Sequence, residues 1–389
     1  MTTITCSLGL LAGALRIVKR VVANNSSIPA VTCMRLVADE ERLSITGTNL
    51  EIGARIDFPR IGGETGHVAA LVPARTFADI VDTFTGEEVS LAFLDGEIRL
   101  ESGGSKAKFK TMPAEDFPPE PVAEYQAMTI GANDLKKAFR RVAFAASADE
   151  TRPLLRSVQL AKAGSHATMT AADGFRLASL TLDAGMTLPP EGSELTIHQA
   201  AANFLAAVLP STDGMVAVKT SKDCQVVVFE WESTRFWALQ VEGKYPNWQQ
   251  IIPPEFKHQV SVPRDAALVA VNRAEIFAHN ENHVVRFASH NGGDTLVSGE
   301  ATETGRSETV LPGVAFPLPV ALNGIFVQQG LEAFDGKEVA LHLNASLAPV
   351  MFRTDDASYT YLLMPMHTAD NVQKAAQAAQ VSATAVSAN

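Results

Sequence analysis

Residues 132–146, ANDLKKAFRRVAFAA, and then 156–182, RSVQLAKAGSHATMTAADGFRLASLTL, decide the fold, because their grammar occurs three times in the chain. The first stretch has a helical period: Leu135, Phe139 and Val142 share one face, and Lys136, Lys137, Arg140 and Arg141 line the other. The second alternates around a central turn and reads as a strand pair. The same order runs through LGLLAGALRIVKRVV (8–22) with MRLVADEERLSITGTNLEIGARIDF (34–58). It recurs more weakly in RDAALVAVNRAEIFA (264–278) with the strands of 283–311.

Each copy then repeats the plan, over 72–112, 197–240 and 318–363, before a proline at Pro118, Pro246 or Pro365. These prolines recur at a spacing of roughly 120 residues, so the repeating unit is a whole domain, far longer than a solenoid repeat. Within each domain the expected order is strand, helix, strands, and then the same again. The turn at Asp95-Gly96 in VSLAFLDGEIRLES marks a hairpin, and IGGETG and SGGSK read as further hairpin loops. The proline-rich stretches 114–125 and 251–259 suit interdomain joins. The expected architecture is α+β, with domains at 1–122, 126–253 and 256–367 and a mobile tail at 368–389 that has no apolar periodicity.

Composition narrows the function. The chain has 389 residues, 46% hydrophobic and 19% charged, which is a folded chain able to bury several cores. No apolar run is long enough to span a bilayer, and the N-terminus lacks a basic segment and a cleavage signature. Cys6, Cys33 and Cys224 are odd in number and lack C-x-x-C spacing, which fits a reducing, cytoplasmic setting. The net charge of −11 disfavours a protein that grips nucleic acid over its whole surface.

Catalytic signatures are missing. There is no phosphate-cradling G-x-x-x-x-G-K-[ST], no H-E-x-x-H and no G-x-S-x-G. His279 and His283 are four apart with Glu281 between them, a spacing that can ligate a metal on a helix. No third ligand is evident, so they read as solvated residues at a helix end. No metal and no cofactor are expected, and Cys33 and Cys224 read as packing residues.

The basic helix faces carry the functional signal. In 8–22, Leu11, Ala14, Leu15, Val18, Val21 and Val22 face inward while Arg16, Lys19 and Arg20 share the opposite side. Their counterparts in the second repeat are Lys136, Lys137, Arg140 and Arg141. One such helix is ordinarily a solvated face, but recurrence at the same repeat position points to phosphate. No aromatics interleave with these cations, so the partner is a duplex backbone contacted without reading sequence. The third repeat dilutes the pattern, with Asp265 and Glu275 accompanying Arg264 and Arg273.

Several stretches resemble the bacterial DNA polymerase III beta subunit family, the sliding clamps: TNLEIGARI (48–56), FKTMPAEDFP (109–118), ADETRPLLRSVQL (148–160), TAADGFRLASL (170–180), EGKYPNWQQIIP (242–253) and YLLMPMH (361–367). The resemblance implies three tandem clamp domains per chain and a head-to-tail homodimer closing a six-domain ring, with helices lining the channel. It implies a non-catalytic processivity factor that encircles double-stranded DNA, is placed there by an ATP-driven clamp loader, and tethers the catalytic subunit of DNA polymerase III and other proteins carrying a clamp-binding motif. It also implies a partner-peptide pocket between the central and C-terminal domains, carried over here to Leu155, Asp173, Gly174, Phe175, Arg176, Leu177, Pro246, Ile251, Leu362, Met364, Pro365 and Met366. In that pocket Arg176 is expected to hold a peptide carbonyl or carboxylate.

The chain departs from the family pattern at Ala172, Phe175, Gln250 and His367, where threonine, histidine, arginine and arginine are usual. A more apolar pocket with altered peptide preference is the expected consequence. Two other readings stand beside the leading one: a specialised or mobile-element clamp paralogue serving another polymerase or repair pathway, and an enzyme using the interdomain cleft. The second of these lacks any nucleophile–base pair.

Overall fold

The computed structural model describes residues 2–189, 194–280, 282–353 and 358–367. The expected tail at 368–389 and Glu281 lie outside the described residues. Among the described residues the chain follows one plan three times over: strand, helix, three strands, then strand, helix, three strands. The six helices are α1 (Leu8–Val18), α2 (Ala74–Val81), α3 (Ala132–Val142), α4 (Gln199–Val208), α5 (Arg264–Ala278) and α6 (Gly324–Glu332).

Local chemistry explains where these helices begin. Ser7 accepts from the Leu10 amide ahead of α1, and Asn323 accepts from the Phe326 amide ahead of α6. In α3, Asp134 lies in the first turn and Arg140 and Arg141 in the last, each charge complementing the helix dipole. The apolar stripes are buried as their spacing predicts: Leu11, Leu15 and Val18 in α1, and Leu135, Phe139 and Val142 in α3.

Contacts gather into two compact units, where the repeat predicts three domains. The first holds the described residues of Met1–Lys137, Ala161–His166 and Asp183–Glu242. The second holds those of Ala138–Leu160, Ala167–Leu182 and Gly243–Asn389. The middle repeat contributes to both, because strand pairing carries on from one repeat into the next. In the first unit Ile52–Gly63 pairs with Thr234–Leu239, so one sheet runs from Ser105–Lys110 at one edge to Tyr125–Gly131 at the other. In the second unit Arg176–Leu182 pairs with Tyr359–Leu363. A separate four-stranded sheet in that unit ends at Gly305–Leu311.

The Asp95-Gly96 turn is a two-residue hairpin with Gly96 at φ +68, and the SGGSK loop is another. IGGETG differs from expectation, because Ile52–Gly63 extends through its first three residues. Gly63 lies against the first strand, and a Cβ there would come within 2.3 Å of the Thr3 carbonyl. A glycine pair inside a strand marks close backbone approach as readily as a turn. The join near 114–125 is pinned: Phe117 is buried with Ala30, Cys33 and Leu71, and Glu120 meets Arg35 at 2.6 Å.

Candidate partner and nucleic-acid interfaces

The candidate cleft lies within the second unit and is built on the paired strands Arg176–Leu182 and Tyr359–Leu363. Their register sets Leu177 opposite Leu362 and Arg176 opposite Leu363. Successive strand residues point to opposite faces, so Leu177 and its neighbour Arg176 serve different sides. Leu177 and Leu362 are buried in an apolar cluster with Ala172 and Met351, against which Trp248, Ile252 and Phe256 pack, half-buried.

Two anchors hold the 244–253 segment over this floor. The Tyr245 hydroxyl accepts from the Ala172 amide at 3.0 Å, and Trp248 Nε1 donates to Gln159 Oε1 at 3.2 Å. At the rim, the Met364 amide donates to the Phe175 carbonyl at 2.8 Å. That bond sets two uncovered apolar side chains side by side, Phe175 at 64% exposure and Met364 at 39%. Ile251 adds a third at 48%. Uncovered apolar side chains set next to one another mark an interaction surface.

The remaining expected residues are placed as follows. Pro365 is buried and Met366 half-buried, with the Met366 amide donating to the Ala321 carbonyl at 2.8 Å. Leu155 is half-buried and Pro246 exposed, and neither belongs to the apolar cluster. Asp173 and Gly174 shape the turn: Asp173 Oδ1 accepts from the Phe175 and Arg176 amides at 2.8 and 2.9 Å, while Gly174 takes φ +93.

Arg176 differs from the sequence expectation. Its side chain is only 8% exposed, and three polar partners already take it up. Nε donates to Asp173 Oδ2 at 2.9 Å, Nη2 to the Phe144 carbonyl at 2.7 Å, and Nη1 to Gln329 Oε1 of α6. The guanidinium also stacks 4.0 Å from the Phe326 ring centre. The alternation that sends Leu177 to the cleft sends Arg176 to the helix side, where it is buried against α6 and away from a peptide. Sequence reading also missed Trp248, Ile252, Met351 and Phe256 as cleft builders. The aromatics of KYPNWQQ were the available signal, since a tryptophan in a linker needs a surface to cover.

The cations expected to face DNA fall into two groups. Arg16 pairs with Asp82, the C-cap of α2, at 3.0 Å, and Lys19 with Asp79 of α2 at 2.5 Å. Arg141 pairs with Asp335 and lies over the Tyr359 ring, and Lys136 donates to Ser211 at 3.1 Å. Arg20, Lys137 and Arg140 are exposed and, among the described residues, make no ion pair. No helix of the described residues is long and apolar enough to cross a membrane.

Comparison with known proteins bears on the whole chain. Residues 2–121, 129–247 and 249–367 match, in order, the N-terminal, central and C-terminal domains of the DNA polymerase III beta subunit. The chain belongs to that family, the beta sliding clamps. The beta sliding clamp of Synechococcus elongatus is 27% identical over 371 residues, covering 93% of this chain and 98% of its own. That of Bacillus subtilis is 24% identical, covering 90% and 96%. Among solved structures, the Bacillus subtilis DNA polymerase sliding clamp superposes with a TM-score of 0.87 at 22% identity, covering 94% of this chain and 99% of that one. The Thermotoga maritima DNA polymerase III beta subunit gives 0.84 at 21%, covering 95% and 100%. The three tandem clamp repeats read from the sequence are therefore those of a sliding clamp.

Proposed function

We propose that two copies of this chain close head to tail into a ring around duplex DNA, and that the ring tethers the replicative polymerase without catalysing a reaction itself. The observation that carries this reading is the threefold repeat, matched in full and in order by the three clamp domains. The domain limits 1–122, 126–253 and 256–367 are part of the same reading.

The open sheet edges support ring closure. Ser105–Lys110 ends one sheet with Lys106, Lys108 and Lys110, and Gly305–Leu311 ends another with Glu308 and an exposed Val310. Unpaired edges of this kind invite pairing with another chain, and a head-to-tail contact closes when the rotation completes a circle. On α5, Val269 and Ile276 are exposed apolar residues for which such an interface would supply cover.

The cleft reading rests on Phe175, Ile251 and Met364 over the Leu177–Leu362 floor. It takes the apolar anchors of an extended peptide, supplied by the polymerase catalytic subunit, by a clamp loader or by other partners. Gln250 and His367, where arginine is usual, leave the rim poorer in fixed charge, and Ala172 leaves the floor without a hydroxyl, which favours peptides with aromatic or aliphatic anchors.

The test is retention on circular DNA. With an ATP-driven loader, the protein should stay on nicked circles through gel filtration, be released when the circle is linearised, and lengthen the products of its polymerase. Equal loss from circular and linear DNA would overturn the topological reading.

A further inference from the structure

We propose that Glu275, His279 and His283 form a binding site for a divalent transition-metal ion of the zinc class. The sequence alone showed two histidines and no third ligand. The structure supplies that ligand one turn upstream, as Glu275 in the last turn of α5 and the C-cap His279 are four apart and share a face.

The chain then doubles back. Asn282 and His283 both take left-handed backbone angles, φ +59 and +61, and the His283 amide donates to the Ala278 carbonyl at 2.9 Å. This return sets the His283 ring 5.1 Å from the His279 ring and lets His283 Nδ1 hydrogen-bond Glu275 Oε1. One ligand atom from each of the three residues lies within 4.8 Å of the others. Zinc bonds of about 2.0–2.2 Å in a tetrahedral shell put ligand atoms about 3.4 Å apart, so side-chain rotation of roughly 1 Å completes the site.

Two further observations point to a ligand. Glu275 Oε2 is buried and, among the described residues, has no hydrogen-bond partner. A buried carboxylate oxygen left unpaired is costly, and a cation is the partner that removes the cost. The fold makes room for this carboxylate, since a Cβ on Gly324 would come within 2.1 Å of that oxygen. Two consecutive left-handed non-glycine residues cost on the order of 1–3 kcal/mol each and persist where the surroundings require them. Two imidazoles and one carboxylate suit zinc, and they leave a fourth position for water. His279 is exposed, which opens a route from solvent.

The experiment is a cobalt titration of the full chain carrying no affinity tag, with zinc added afterwards in competition. The expected result is one Co2+ per chain with the intense visible absorption of a four-coordinate site, displaced by Zn2+. His279→Ala, at an exposed position, should abolish the absorption and weaken Zn2+ binding by more than the roughly 10–100-fold that losing a supporting contact costs. His283→Gln should do the same. Zn2+ should raise the melting temperature of the wild-type chain and leave that of His279→Ala unmoved. Absorption that survives in His279→Ala, or weak octahedral cobalt spectra with binding spread over several histidines, would overturn the site.

Discussion

Arg176 offers the sharpest test, because the family pattern assigns it to a peptide and the structure assigns it to the fold. Replacing it by methionine keeps a long side chain but removes the charge and every donor. Asp173, 9% exposed, then keeps only its two backbone amides, while the Phe144 carbonyl and Gln329 each lose a partner. Breaking a buried ion pair from one side costs about 3–5 kcal/mol. At about 2–4 °C per kcal/mol for a body of this size, the second unit should melt roughly 10 °C lower. Trp248 is that unit's one tryptophan, with Trp231 and Trp237 in the other unit, so fluorescence during a melt separates the two.

Arg176→Lys keeps a charge yet loses the planar fork, and should fall between wild type and methionine. Asp173→Asn combined with Arg176→Met should show a coupling of about 0.5–3 kcal/mol, since the two residues touch. Below the lowered transition, peptide affinity should stay at the wild-type value, because the side chain lies on the opposite face from Leu177. A variant that melts normally but binds peptide poorly would refute this assignment and return Arg176 to the cleft.

Three further outcomes are expected. Phe175→Ala should weaken binding of a clamp-binding peptide by about tenfold, since covering a large apolar side chain is worth about 1.5–3 kcal/mol, with no change in melting temperature; calorimetric titration decides it. Arg20, Lys137 and Arg140 changed together to alanine should lower the salt slope of DNA retention by about 0.9 per lost phosphate contact, whereas Arg16→Ala, already paired with Asp82, should change it far less. Stability should fall on the alkaline side: burial pushes the Cys6 thiol up to about 12, so the folded state holds a proton that the unfolded chain gives up from about pH 9. The loss is roughly 1.4 kcal/mol per pH unit across that window. Burial also raises Tyr359 and Tyr361, which should withhold phenolate absorbance until the second unit unfolds, read by urea titration at successive pH values.

What was legible in the sequence was whatever depends on near neighbours. The stripe of Leu135, Phe139 and Val142, the hairpin at Asp95-Gly96 and the span of α5 follow from period and turn chemistry, and the structure has them in place. What was not legible depends on partners far along the chain. Asp79 and Asp82 are some sixty residues from the α1 cations they neutralise, and Gln329 is far from Arg176. The strand alternation could have separated Arg176 from Leu177, yet nothing local says which face is the cleft. Glu275 was read only as a charge diluting a basic face. Its relation to His283 needs the left-handed return that Asn282 and His283 make together.

The paired cations bear on how an acidic chain can hold an anionic duplex at all. With a net charge of −11, long-range attraction is unavailable, so contact with phosphate has to be short-ranged and local. Arg16 of α1 and its C-cap Lys19 are spent on Asp82 and Asp79 at the end of α2, and the α3 helix spends Arg141 on Asp335 and the Tyr359 ring. Those pairs join separate elements of the fold. Among the described residues, Arg20, Lys137 and Arg140 are exposed without an ion pair, and on the proposed reading they are the ones that meet a passing phosphate. Each such contact releases about one counterion, so a few of them give an affinity that salt erases readily and that does not pin the protein at one position. On the proposed ring, such contacts hold duplex weakly in the open chain and durably only after closure, so retention should track the integrity of the ring more closely than its charge.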